Sequence, residues 1–186
     1  MVNKSIYPLI TLAGLTLSCS IFIGGPVYPT VSVPVPTNDQ QSLQSNVEKA
    51  ISESTQTGIV SLQITENQLT SYLTSKIEAQ TNPIISEPQV FLREGQIKIF
   101  GKAESGIFTA NVSVIAQVMV DMDGQPEFNI TQTDLGPLPT PQGVNKAISA
   151  LVHEAFMGSL GPIATGFRVE SISISDGLMT IKGRIK

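Results

Sequence analysis

Hydrophobic and polar positions change their period repeatedly along this chain, and each change marks a predicted element. Residues Ile6 to Val27 form an almost uninterrupted apolar run, preceded by Lys4 and followed by no charge until Asp39. Gly25 to Asn38, GPVYPTVSVPVPTN, then sets prolines among β-branched residues, which predicts an extended, semi-rigid spacer. From Gln40 to Thr57 the apolar residues Leu43, Val47, Ala50 and Ile51 recur at helical spacing, and Gly58 supplies a stop. Val60, Leu62 and Ile64 alternate with Ser61, Gln63 and Thr65, the pattern of a half-buried strand. Thr65 opens a capping box with Gln68, ahead of a helix whose Leu69, Tyr72, Leu73 and Ile77 share one face and which should end before Pro83.

Beyond Pro83 the period becomes that of hairpins. Val90 and Leu92 lead to Glu94-Gly95 and on to Ile97 and Ile99. A longer strand, Phe108 to Val120, places Phe108, Ala110, Val112, Val114, Ala116, Val118 and Val120 on one face. Thr109, Asn111, Ser113, Gln117 and Asp121 fall on the other, which is expected to meet solvent. Asp123-Gly124 predicts a type I′ turn into Glu127 to Thr133. Thr140 can cap a helix with Pro141 at its first position, and Val144, Ala147, Ile148, Leu151, Val152, Ala155 and Phe156 make a broad apolar stripe ending near Gly158, Gly161 and Pro162. A last hairpin joins Phe167 to Ser175 and Leu178 to Ile185 through Asp176-Gly177. The predicted fold is α+β: a strongly curved antiparallel sheet of hairpins packed on a long amphipathic helix, with shorter helices N-terminal to it.

The domain plan follows: residues 1–27 a transmembrane anchor or signal segment, 28–39 a Pro-rich linker, and 40–186 a single extracytoplasmic α+β domain. About 18–20 apolar residues span a bilayer, whereas a cleaved signal needs fewer, and Lys4 would hold the short side in the cytoplasm. Leu15-Thr16-Leu17-Ser18-Cys19 resembles a bacterial lipobox, with Thr16 where that pattern places Leu, so Cys19 is a candidate lipidation site. Cleavage after Ser20 is the third alternative. All three put the domain outside the cytoplasm.

Composition narrows the chemistry. The net charge is −4 and the eleven Lys and Arg residues are scattered singly, which excludes a phosphate-binding face and hence nucleic acid as partner. Cys19 is the one cysteine, so the domain is expected to hold no disulfide and no thiolate metal site. Tryptophan is absent and aromatic residues make up 5%, leaving aliphatic side chains to fill the interior.

His153, the single histidine, lies off the apolar stripe with no nucleophile elbow beside it and reads as a surface residue. Asp121-Met122-Asp123-Gly124 lacks the later ligands of a calcium loop, and Gly158-Ser159-Leu160-Gly161 is not GxSxG. No catalytic residue, metal site or cofactor is expected, and no enzyme. The stripe of residues 144–156 is by default core. With few aromatics to occupy the space under a long sheet, it can also form one wall of a groove for an acyl chain. The groove residues would be Val112, Val114 and Val118 on the sheet and Val144, Ile148, Leu151, Val152, Ala155 and Phe156 on the helix.

Several motifs point the same way. Thr65 to Leu73, Pro88-Gln-Val-x-Leu, Gly95-Gln-Ile-x-Ile-x-Gly101, Leu135-Gly-x-Leu-Pro-x-Pro141 and Ile172-Ser-Ile-x-Asp-Gly-x-Met-x-Ile-x-Gly183 resemble bacterial membrane-anchored domains of the YpmS and DUF2993 kind. These in turn resemble half of a tubular lipid-binding (TULIP) module. The resemblance covers about residues 58–186 and implies a curved sheet round a long helix, a lipid of the cell envelope as partner, and no catalytic residues. The expectation is a membrane-anchored domain that binds a lipid or other apolar envelope ligand between sheet and helix. The alternative is a structural or protein-interaction module of the envelope with no ligand.

Overall fold

The structure, a computed structural model, describes residues 20–34, 39–81, 83, 85–137, 150 and 167–185. It is α+β, with a strongly curled half-barrel of β-structure and two helices. The elements are β1 (Ile21–Phe22), α1 (Asp39–Thr57), β2 (Ile59–Thr65), α2 (Glu66–Glu78), β3 (Ile85–Arg93), β4 (Gln96–Ser105), β5 (Phe108–Val120), β6 (Pro126–Asp134), β7 (Phe167–Ser175) and β8 (Leu178–Ile185). A five-stranded sheet runs β1-β5-β4-β3 with β6 also on β5, and a three-stranded sheet runs β2-β8-β7. The long helix expected over 141–160 falls outside the described residues, except for Ala150.

The turn residues set the hairpin registers. Glu94-Gly95 and Asp176-Gly177 both take positive φ at both positions, the backbone of a type I′ turn, and join β3 to β4 and β7 to β8 as the sequence predicts. The turn between β5 and β6 departs from expectation. It spans five positions, 121–125, and the Asp121 carboxylate organises it by accepting from the amides of Asp123 (2.9 Å) and Gln125 (2.7 Å). An aspartate bonding its own downstream backbone overrides the two-residue Asp-Gly geometry.

Along β5 the alternation holds over the centre: Ala110, Val112, Val114 and Ala116 are buried, and Val118 and Val120 half-buried. Phe108 at the strand's start is exposed, and Ser113, expected in solvent, is buried. Ser113 stands across the ladder from Phe100, whose ring is on the same outer face.

The main core joins both sheets to both helices. Leu43, Val47 and Ala50 of α1 and Leu69, Leu73 and Ile77 of α2 pack with Val60, Leu62 and Ile64 of β2, Val90 and Leu92 of β3, Ile97 and Ile99 of β4, and Met179 and Ile181 of β8. The capping box is present, with Gln68 N–H donating to Thr65 Oγ1 (3.3 Å) and Thr65 N–H donating to Gln68 Oε1 (3.1 Å).

α2 also covers the free edge of β3. Val90 N–H donates to Thr70 Oγ1 (3.0 Å) and Leu92 N–H to Glu66 Oε1 (2.6 Å), while Arg93 pairs with the same carboxylate. Side chains thus supply the acceptors a further strand would have provided, which blocks edge-to-edge pairing. The sheets are linked where Gly177 N–H donates to the Leu92 carbonyl (3.0 Å), Gly95 N–H to Ile174 (3.1 Å) and Val169 N–H to Gly124 (2.9 Å).

Residues 20–34 depart most from the pattern reading. That reading makes them the end of the apolar run and, from Gly25, the start of a free spacer; they are extended but lie on the domain. β1 runs parallel to the start of β5, with Ile21 opposite Phe108. The Asn111 side-chain amide then donates to the Pro26 carbonyl (3.1 Å), Tyr28 packs edge-on to Phe100, its hydroxyl donates to the Glu87 carbonyl (2.5 Å), and Val33 N–H donates to Gln89 Oε1 (2.6 Å). The segment therefore straps β5, β4 and β3 across their outer face. Gly25 permits its start, because a Cβ there would sit 2.1 Å from the Asn111 carbonyl oxygen and its φ is +117°.

Candidate functional site: the inner face of the curled sheet

The three sheet residues of the expected groove do not share one environment. Val114 belongs to the main core, packed with the helices, and Val118 lies half-buried at its margin. Val112 instead forms a separate small cluster with Ala103 and Ala110, against which only the partly buried Ile23, Ile85 and Leu135 pack among the described residues. Val144, Ile148, Leu151, Val152, Ala155 and Phe156 lie outside the described residues, so the opposing wall is not placed.

Ladder pairing explains the second cluster. Gly101 faces Val112 and Ala103 faces Ala110, so β4 and β5 lay down adjoining small residues on the inner face beyond Ile99 and Val114. A Cβ at Gly101 would come within 2.5 Å of Ile85 Cγ2, so Ile85 lies over the glycine and closes one side of this floor. Of this floor the sequence pattern marks Val112 as a groove residue and Ala110 as sharing its face, while Gly101 and Ala103 on β4 are not among the expected groove residues. The available signal was the run of small residues at every second position from Gly101.

Polar chemistry on this face is sparse. A cleft of about 300 Å³ elsewhere, between α1 and β2, is lined by Asn46, Lys49, Glu53, Ser61 and Gln63 with Ala50 and Leu62, and it opens widely to solvent. Among the described residues no group of three His, Cys, Asp or Glu is placed to hold a metal ion, and the Asp121 carboxylate is taken up by its own loop. Cys19 and His153 lie outside the described residues. On the outer face, burial and then the charge of Glu87 push the Tyr28 phenol above its usual range. No helix among the described residues is long and apolar enough to cross a membrane, and most of the expected anchor over residues 1–27 precedes the described chain.

No family model matches the chain, and no curated protein matches it either. Among solved structures it is similar to the crystal structure of a lipopolysaccharide binding protein, at 14% identity and a TM-score of 0.22, over 69% of this chain and 49% of that one. The chain thus spans about half the length of that structure. A likeness at this level carries no weight for either fold or function.

Proposed function

We propose that this chain is a membrane-attached, extracytoplasmic binding module, not an enzyme, which holds an acyl chain or similar apolar envelope molecule against the inner face of its curled sheet. The observation that carries the reading is the division of that face. Large aliphatics interlock with α1 and α2 over one part, and small residues, Gly101, Ala103, Ala110 and Val112, floor the other. A ligand methylene buried there releases about 0.8 kcal/mol, so a chain of about a dozen carbons binds usefully after its ordering cost. The sequence motifs at Gly95–Gly101 and Ile172–Gly183, by their resemblance to TULIP-like domains, favour the same ligand class.

Attachment to the membrane is sharpened by β1. With Ile21 and Phe22 paired to β5, the apolar run that precedes them, Ile6 to Ser20, would reach only about 22 Å as a helix, short of the roughly 30 Å hydrocarbon layer. That favours acylation at Cys19 over an uncleaved span. One observation favours the second reading, a structural or interaction module: Ala103, Ala110 and Val112 are all buried by the chain itself.

The two are separated by isolating the full chain from membranes of its own host and analysing it by native mass spectrometry and solvent extraction. The binding module carries stoichiometric lipid; lipid-free protein supports the structural module.

A further inference from the structure

We infer that the β1 and β4–β5 corner of the domain is a docking edge that seats in the membrane interface and turns the small-residue floor toward the bilayer. The inference rests on the membrane attachment proposed above. Ile21, Phe22, Ile107 and Phe108 are 47%, 60%, 57% and 42% exposed. They are not scattered: Ile21 lies opposite Phe108 in the parallel pair, and Ile21 N–H donates to the Ile107 carbonyl at 2.7 Å. The pairing sets Ile21 beside Phe108 on one face, with Phe22 on the opposite face and Ile107 in the adjoining turn, so exposed apolar residues surround this tip of the sheet, which marks an interaction surface more than a stable end of a domain.

The occupant is a lipid surface because of where the chain comes from. Cys19 is two residues before Ile21, at most about 7 Å of extended backbone, so a lipid on Cys19 or any attachment ending there brings this corner to the headgroups. Aromatic and aliphatic side chains of this kind seat about 5–10 Å into the headgroup and acyl boundary. Glu104, exposed and paired across the ladder with Thr109, is the charged residue nearest in register, so the attraction is apolar and does not depend on anionic lipid. The orientation also gives the floor an entrance. Ala103 and Ala110 pair two ladder steps above the Ser105 and Phe108 pair, roughly 7 Å from the patch, so a lipid tail leaving the bilayer meets the floor first.

The chain contains no tryptophan, so a single introduced one reports its own depth. Full-length Phe108→Trp protein in phosphatidylcholine vesicles containing acyl-brominated phosphatidylcholine should lose about half its emission, as expected for a ring at the boundary. Met122→Trp, in the turn at the other end of the thirteen-residue β5 and roughly 40 Å away, should be unquenched. Adding Ile107→Asp to the Phe108→Trp protein should restore most of the emission with unchanged circular dichroism. Phe22→Trp reads the same patch from β1 should Phe108→Trp fold poorly. Protein that floats with the vesicles while neither patch tryptophan is quenched overturns the docking edge and leaves membrane attachment standing. Quenching of Met122→Trp equal to that at the patch also overturns it, since no edge is then preferred. Protein that does not float at all overturns the attachment and the docking edge together.

Discussion

The two ends of the inner face of the five-stranded sheet are built to different rules. Toward the β3–β4 turn, Leu92, Ile97, Ile99 and Val114 meet Leu69, Leu73 and Ile77 of α2, and large side chains from opposing elements fill the space. Toward the β4–β5 turn, Gly101, Ala103, Ala110 and Val112 present little volume, and the described residues packed on them are only partly buried. The first end has its contacts fixed by interlocking and is where folding stability resides. The second, covered among the described residues by Ile23, Ile85 and Leu135, is where the proposed guest molecule would add its own packing. Substitutions at the two ends should therefore fail differently.

The largest effect is expected in the filled end. Val114→Asp buries an unpaired carboxylate among aliphatics and should destabilise by about 3–5 kcal/mol, read as a lower urea midpoint. Val118→Asp, only half-buried, should cost much less; equal losses would erase the distinction between core and margin.

The edge of β3 comes next. Glu66→Ala removes the acceptor of Leu92 N–H and the partner of Arg93, and Thr70→Val removes the acceptor of Val90 N–H; each should cost about 1–3 kcal/mol. Concentration-dependent association should rise with the lost edge protection, measured by light scattering. A variant as stable and as monomeric as the parent would show that α2 merely lies beside the strand.

The strap should give the smallest effect. Tyr28→Phe loses one hydrogen bond, about 1 kcal/mol. Because the phenol's pKa is raised in the folded state, the folded chain favours the neutral form. Its stabilisation is complete below the ordinary phenol value of about 10 and is lost as pH climbs through the higher folded value. Denaturation midpoints between about pH 9 and pH 11 should show this loss in the parent and less of it in Tyr28→Phe. An identical pH profile in both would remove Tyr28 from the account.

How much of this could be read from the sequence depends on the range of the forces involved. α1, the capped α2, the β2 alternation and two of the turns follow from local rules, because Thr65 needs only Gln68, and Glu94-Gly95 or Asp176-Gly177 only their own φ angles. What escaped was non-local. Ser113 alternates like a solvent-facing residue, yet Phe100 across the ladder and a strap some eighty residues earlier in the chain bury the outer face around it. Residues 25–33 carry a spacer's composition, and nothing within them encodes the Asn111, Glu87 and Gln89 partners that hold them down. The candidate groove was half legible for the same reason. Alternation along β5 identifies Val112 and Val114 as inward, but only the register with β4 shows that one joins a filled core and the other a floor of small residues.

The central claim, that the small-residue end of the sheet holds an apolar guest, is tested most directly by Ala110→Leu in the full-length protein, with bound lipid and melting temperature measured on the same sample. A guest site predicts that the parent carries lipid and that Ala110→Leu loses it at nearly unchanged melting temperature, the added methylenes taking the guest's place. A lipid-free parent, together with an Ala110→Leu protein destabilised by the roughly 1–3 kcal/mol of an overpacked core, would contradict it.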